Sequence, residues 1–267
     1  MNTDTGRSTQ RGPRAVNEDA VAVGDGFALI ADGVGGSPDG ARASALAVDA
    51  GQAWLTTGPD DPLVTLLTLP VVAADALATA DPPLHPAAAT GLAAARVRAG
   101  VAFAVAVGDC RVTVLRRDTG GAWSPVSSTA DHDGLALAAR DVAAALHLGR
   151  HPAVLAADAA ADASRRLLDA VRAHAPRRPA APVVATPLEP GDVVLLSTDG
   201  VHDVLGTVGV CEVLADLGAE VRADRISEQL VRRALAKGSR DNCTAAAVVV
   251  PASVRSEPST GSAAGAG

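Results

Sequence analysis

Apolar residues in this chain come first in short runs broken by glycine and acid, and then in longer helical stretches. Residues 20–23 and 27–31 read as two strands, because Gly24-Asp25-Gly26 between them is hairpin punctuation. Asp32 then falls at a strand end. Ser37 followed by Pro38 supplies an N-cap and a first helical position, and 41–55 continues as a good helix former. A second helix is expected from Asp60 or Asp61 with Pro62 to about Ala78, with Pro70 as a kink point. Residues 101–107 and 111–115 alternate as strands around Gly108-Asp109-Cys110, a tight connection with Asp109 at its tip. Further strands are expected at 193–197, running into Asp199, and at 244–250, directly after Asp241-Asn242. Helical patterns occupy 135–146, 157–173, 208–217 and 223–236, the last stopped by Gly238. Residues 176–187 read as a Pro-rich connector and 251–267 as a small, polar, disordered tail.

Strands in groups followed by helices in groups argue for α+β layering over a parallel sheet with alternating helices. Carboxylates from strands far apart in sequence then converge only where those strands lie side by side or face one another across two sheets. The domain reading is one globular domain over 1–250, followed by the tail at 251–267.

Composition narrows the function. With 267 residues, 48% of them hydrophobic, the chain can bury a sizeable core. Aromatics make up 1%, so Ala, Val and Leu must build that core, and no aromatic platform exists for stacking nucleic-acid bases. A net charge of −7 likewise opposes a phosphate-backbone partner. Cys110, Cys211 and Cys243 are odd in number and widely spaced, which suits neither a disulfide framework nor a Cys-x-x-Cys zinc site. No uncharged apolar stretch approaches the roughly 20 residues that span a bilayer, and the polar N-terminus has no signal-peptide core. The expectation is a cytoplasmic chain without membrane or nucleic-acid partners.

Four segments carry the candidate chemistry: Asn17-Glu18-Asp19, Ala31-Asp32-Gly33-Val34-Gly35-Gly36, Ser197-Thr198-Asp199-Gly200 and Ser239-Arg240-Asp241-Asn242. Each sets an acid at the edge of an apolar run, and glycines beside the acids allow close approach of the backbone to an ion. Hard divalent cations require such oxygen ligands. Singly, an Asp-Gly pair is more often a turn; the set in this order points to a two-metal hydrolase.

With Arg14 four residues before Glu18, and with Val107-Gly108-Asp109-Cys110-Arg111, the ordered motifs resemble the metal-dependent protein phosphatase family of the protein phosphatase 2C type, in the manner of a bacterial single-domain member. The resemblance runs from about Arg14 to Val250. It implies a sandwich of two antiparallel sheets flanked by helices on both outer faces, and hydrolysis of phosphoserine and phosphothreonine on proteins by water or hydroxide held between two Mn²⁺ or Mg²⁺ ions. Asp32 would bridge the ions and Gly33 would give its carbonyl. Glu18 would serve one ion, and Asp199 and Asp241 the other. Asp19 would orient a water, and Arg14 would hold phosphate oxygens with its planar fork. Asp109 and Asp203 match positions of a third, weaker ion, with loop acceptors as the alternative. Arg7 and Arg11 are the alternatives to Arg14.

The sequence also departs from the family. Val34 stands where some members have a histidine, Cys110 where Ser is usual, and Cys243 where an aliphatic residue is usual. Residues 135–187, which include the family's flap, are Ala-rich and weakly matched. The resemblance implies phosphorylated proteins as the substrates, and a cognate Ser/Thr kinase as partner and a monomeric chain are expected; substrate choice is what the unmatched flap leaves least determined. A phosphorylated metabolite on the same site and a pseudophosphatase binding module are the competing readings.

Overall fold

The computed structural model describes residues 3–35, 37–129, 170–172, 181–218 and 221–251. Eleven strands form two antiparallel sheets among the described residues. One sheet has the order β1 (Asp4–Gln10), β11 (Cys243–Val249), β10 (Val193–Ser197), β6 (Arg111–Arg117), β7 (Trp123–Ser128). The other runs β2 (Asp19–Gly24), β3 (Phe27–Gly33), β4 (Ala89–Arg98), β5 (Val101–Val107), β9 (Val184–Pro187), and β8 (Val171–Arg172) pairs with the start of β4.

Strand alternation sorts the side chains into layers. On β3, Ala28 and Ile30 face the opposing sheet, while Phe27, Leu29 and Ala31 face helices. On β10, Val194 and Leu196 face inward, and Val193 and Leu195 outward. The space between the sheets is filled largely by small residues, among them Ala93, Ala95, Ala102, Ala104, Ala106 and Ala246, with no aromatic ring in that layer. This is the Ala, Val and Leu core that composition required. Outside it, α1 (Gly40–Thr57) and α2 (Pro62–Ala78) cover the β2–β9 sheet through Ala47, Leu55, Leu66 and Leu69. On the other side, α3 (Asp199–Asp216) and α4 (Ala223–Ala236) cover the β1–β7 sheet through Val201, Val213, Ile226 and Leu230. The result is the expected four-layer α+β sandwich.

Several local expectations are corrected. Helix α1 starts two residues later than Ser37-Pro38 implied: Asp39 precedes it with φ 64°, and the Ser37 hydroxyl donates to the Ala87 carbonyl (2.6 Å) instead of capping. Asp61 does cap α2, accepting from the Leu63 and Val64 amides, and Pro70 sits inside that helix. The helix expected over 208–217 is the second half of α3, whose first half begins at Asp199 and breaks at Gly206 (φ 62°). Val171-Arg172, placed at the end of a helix by periodicity, pairs instead with Thr90 and Ala89. The supposed connector 176–187 contains β9, a strand at the sheet edge where Pro187 costs no central ladder bond. The helix expected at 135–146, most of that at 157–173, and residues 252–267 of the tail lie outside the described residues. Among those described, no helix is long and apolar enough to cross a membrane.

Two connections position the site. Strands β5 and β6 belong to different sheets, so Gly108-Asp109-Cys110 steps from one sheet to the other and leaves Asp109 at their junction. β2 and β3 pair with Asp19 directly opposite Asp32, and Asp32 lies opposite Gly91 on β4.

Candidate active site

One end of the sandwich opens into a cleft of about 140 Å³. Arg14, Glu18, Asp32, Gly33, Val34, Gly35, Asp109, Asp199, Asp241 and Asn242 line it. The fold thus gathers six of the eight residues singled out as donors, together with Arg14, from segments spread over more than 220 positions. Of the remaining two, Asp19 is buried behind the cleft and Asp203 lies on α3 with its side chain 71% exposed, Oδ1 3.7 Å from His202 Nε2.

Asp19 and Asp241 are held through their carboxylates and Glu18 through its backbone. The Gly33 amide donates to the Glu18 carbonyl (3.0 Å), as does the Ser44 hydroxyl (2.5 Å), which ties the Glu18 backbone to the end of β3 and to α1. Thr198 Oγ1 donates to Asp19 Oδ2 (3.1 Å) and accepts from the Thr244 amide (3.1 Å), so one hydroxyl couples β2 to β10 and β11. Asn242 donates its backbone amide to Asp241 Oδ1 (2.8 Å). Two glycines permit the approach of the segments. A Cβ at Gly200 would lie 2.0 Å from the Asn242 carbonyl oxygen, and one at Gly91 would lie 3.2 Å from Asp109 Oδ1.

Burial and mutual repulsion raise the proton affinity of these carboxyls. Burial, opposed by hydrogen bonds from Thr244 and Thr198, lifts Asp19 from an ordinary value of 3.8 to about 6. Asp32 is pushed well above that ordinary value by burial and then by the charges of Asp19, Asp199, Asp109 and Asp241. Asp199 is lifted to about 7 by burial, with Asp109, Asp241 and Asp203 adding repulsion. The protein alone therefore places more negative charge here than it neutralises.

The donor set suits divalent cations. Asp19 Oδ1 and Asp199 Oδ1 are buried with no hydrogen-bond partner among the described residues, an arrangement that costs free energy unless something else satisfies them. All the candidate donors are hard oxygens, as Mn²⁺ or Mg²⁺ prefer. Among the described residues no three His, Cys, Asp or Glu side chains stand close enough together to hold an ion as they are placed. The carboxylates line the cleft without closing on a point, and Arg14 Nη2 pairs with Asp241 Oδ2 at 2.5 Å while Arg14 Nε donates to the Arg240 carbonyl (3.2 Å).

Raised carboxyl pKa values give a pH prediction. Asp19 and Asp199 bind protons more tightly folded than unfolded, so between about pH 4 and pH 7 the folded state carries more protons. Stability of the chelator-treated protein should therefore fall as pH rises through that window, and saturating Mn²⁺ should reverse the trend. Thermal melts at pH 5 and pH 7.5, with EDTA and with Mn²⁺, check both signs; a chelated protein that is more stable at pH 7.5 contradicts the repulsive cluster.

The other sequence candidates sort cleanly. Arg7 donates to the Val21 carbonyl and Arg11 to the Ala15 carbonyl (3.0 Å), and of the three N-terminal arginines only Arg14 lines the cleft. Cys110 and Cys243 are fully buried, and burial raises both thiols, so they behave as small apolar groups. His202 is buried against the Ser197 hydroxyl (Nδ1 to Oγ, 3.0 Å), and among the described residues no histidine lines the cleft. Sequence reasoning missed Thr198 and the side chain of Asn242. Their signal was adjacency alone, since each flanks an acid on a strand end.

A four-layer sandwich with an acid-lined cleft at one end of two antiparallel sheets is the arrangement that the resemblance to metal-dependent phosphatases implied. The family model for protein phosphatase 2C matches residues 6–237, and the chain belongs to that family of serine/threonine phosphoprotein phosphatases. Among solved structures, the catalytic domain of the serine/threonine phosphatase PstP in complex with two manganese ions is similar at 24% identity, with TM-score 0.72 over 94% of this chain and 99% of that one. The Mycobacterium tuberculosis phosphatase PstP/Ppp aligns at 23% identity with TM-score 0.72, over 94% of this chain and 100% of that one. Stp1 from Staphylococcus aureus aligns at 18% identity with TM-score 0.68, over 94% of this chain and 95% of that one. At these identities the structures speak to the fold. No curated protein matches by sequence.

Proposed function

We propose that this phosphoprotein phosphatase works at the Arg14–Asp32–Asp199–Asp241 cleft with two Mn²⁺ or Mg²⁺ ions, in the cytoplasm, as a monomer opposing a Ser/Thr kinase. The observation that carries the site is the pair of buried, unpartnered carboxylate oxygens within an overcharged acidic cluster. Asp32, the Gly33 carbonyl and Glu18 would hold one ion, and Asp32, Asp199 and Asp241 the other. Bound divalent ions supply an acidified water as nucleophile and offset charge developing on the phosphoryl group. Asp109 and Asp203 are proposed for a third, weaker ion; Asp109 lies in the cleft, while Asp203 approaches from α3 and adds to the field at Asp199.

The protein's own groups do the rest. Among the described residues Arg14 is the cation of the cleft lining, exposed enough (side chain 45%) to exchange Asp241 for phosphate oxygens and hold two at once. Asp19, fixed through Oδ2 by Thr198, keeps Oδ1 as an acceptor that orients a water proton. Val34, with no proton to give, leaves the leaving-group proton to solvent.

The domain reading is proposed as well: a catalytic unit over 1–250, recognition of the protein substrate through 135–187, and a dispensable tail at 251–267. A phosphopeptide and an aryl phosphate, assayed side by side with Mn²⁺, test substrate recognition. Substitutions across 135–187 should depress phosphopeptide turnover several-fold more than aryl phosphate turnover, because a small ester touches only the cleft. Equal losses on both would shift the reading toward a small phosphorylated metabolite.

A further inference from the structure

Asn242 carries no charge, yet its side-chain amide uses three hydrogen bonds on one stretch of chain. Nδ2 donates to the Arg11 carbonyl (2.7 Å) and to the Val16 carbonyl (2.9 Å), and Oδ1 accepts from the Glu18 amide (2.9 Å). The residue is 5% exposed, so its end of each bond is shielded from water, where losing a partner is costly. Residues 11–18 form no strand or helix. They run from the end of β1 to the start of β2 without ladder bonds and carry both Arg14 and Glu18. Other ties exist: Arg11 donates to the Ala15 carbonyl (3.0 Å) within the arch, Asn17 Nδ2 donates to Thr9 Oγ1 (2.9 Å), and the Glu18 carbonyl accepts from Gly33 and Ser44. Arg14 itself lies between the two carbonyls that Asn242 holds, and it reaches back to Arg240 and Asp241, the two residues before Asn242.

We infer that Asn242 is a positioning residue for the phosphate-binding arginine: its amide clamps the Arg11–Val16 arch so that the Arg14 guanidinium is presented to the cleft at a set height. The inference rests on Arg14 as the phosphate-binding group. Aspartate is the informative replacement because it has the same shape and keeps an acceptor for the Glu18 amide. It has no N–H for the Arg11 and Val16 carbonyls, which would then face a carboxylate. The arch should come loose while the Glu18 end stays tied.

In the full-length Mn²⁺-loaded enzyme, Asn242→Asp should raise the competitive inhibition constant of inorganic phosphate about tenfold, while manganese affinity by calorimetry should hold or rise, since the change adds a negative charge to the cleft lining. Adding Arg14→Ala to Asn242→Asp should then cost less than about twofold more, far below its effect in the wild-type background, because both changes remove the same contact. Hydrogen exchange should quicken in residues 11–16 and hold at Glu18. Asn242→Ala, which removes the amide without adding charge, carries the phosphate-inhibition and additivity comparisons if the aspartate variant does not fold, although it also frees the Glu18 amide. Full additivity of the two substitutions, or unchanged phosphate inhibition in both Asn242 variants, overturns the positioning role. If Arg14→Ala alone leaves phosphate inhibition unchanged, the reading of Arg14 fails and the Asn242 role falls with it. If Arg14→Ala alone weakens phosphate and the Asn242 variants do not, the arginine reading stands and only the clamp is lost.

Discussion

Asp32→Asn and Asp199→Asn will each reduce Mn²⁺-dependent hydrolysis of an aryl phosphate by more than about a hundredfold, since changing even an outer neighbour of a ligand commonly costs ten- to a hundredfold. Each substitution removes a ligand charge and keeps the shape of the side chain, so the circular dichroism spectrum should remain that of the wild type. A second readout separates a lost ion from a damaged fold. In the chelated protein, both variants should melt at higher temperature than wild type at pH 7.5. Asp32 is destabilised as a carboxylate by burial and by the charges of Asp19, Asp199, Asp109 and Asp241, and a neutral amide relieves that repulsion. Addition of Mn²⁺ should raise the melting temperature of the wild type and do little for the variants. Full activity in either variant, or an undiminished Mn²⁺ shift, would remove that residue from the site.

Arg14→Ala is expected to lower kcat/KM ten- to a hundredfold, the equivalent of losing a charge-assisted contact of about 1.5–3 kcal/mol. Here the metal response should point the other way from that of the aspartates. Arg14 pairs with Asp241 Oδ2 at 2.5 Å, and removing it frees that oxygen while taking a positive charge out of the cleft. Manganese affinity in calorimetric titration should therefore hold or rise. An Arg14→Lys variant keeps the charge but not the fork, so it should recover only part of the lost efficiency. Loss of metal binding in Arg14→Ala, with phosphate inhibition intact, would reassign this residue from substrate to metal support.

How legible each element was depended on where its stabilisation comes from. Helix α4 was read to the residue, because its apolar and charged positions repeat at helical spacing and Gly238 ends it in a left-handed turn (φ 92°). β3 and β10 were equally plain as apolar runs ending in an acid. β4, the centre of its sheet, was not read at all. Its Thr-Gly-Leu-Ala-Ala-Ala segment has low strand propensity and becomes a strand because β3 and β5 pair with both of its edges. β1 is polar along its length and is held by the ladder to β11 instead of by a hydrophobic face. Val171-Arg172 and Val184–Pro187 follow the same logic, since partner strands decided segments whose local pattern pointed elsewhere.

The sequence by itself determined the types of group in the site and their order. Acids at strand ends, glycines beside them and an arginine ahead of Glu18 are local features, written in adjacent residues, and they survive without knowledge of the fold. Only the tertiary structure decided which of them meet. Asp19 stands opposite Asp32 through strand register, whereas Asp109 reaches the cleft because the β5–β6 turn crosses between sheets. Asn242 belongs with residues 11–18 because β1 pairs with β11, which brings its amide to carbonyls more than 220 residues away. Such contacts leave no periodic trace in the chain: a single buried hydrogen bond needs two groups a few ångströms apart, and no spacing rule fixes that distance across a sandwich of two sheets.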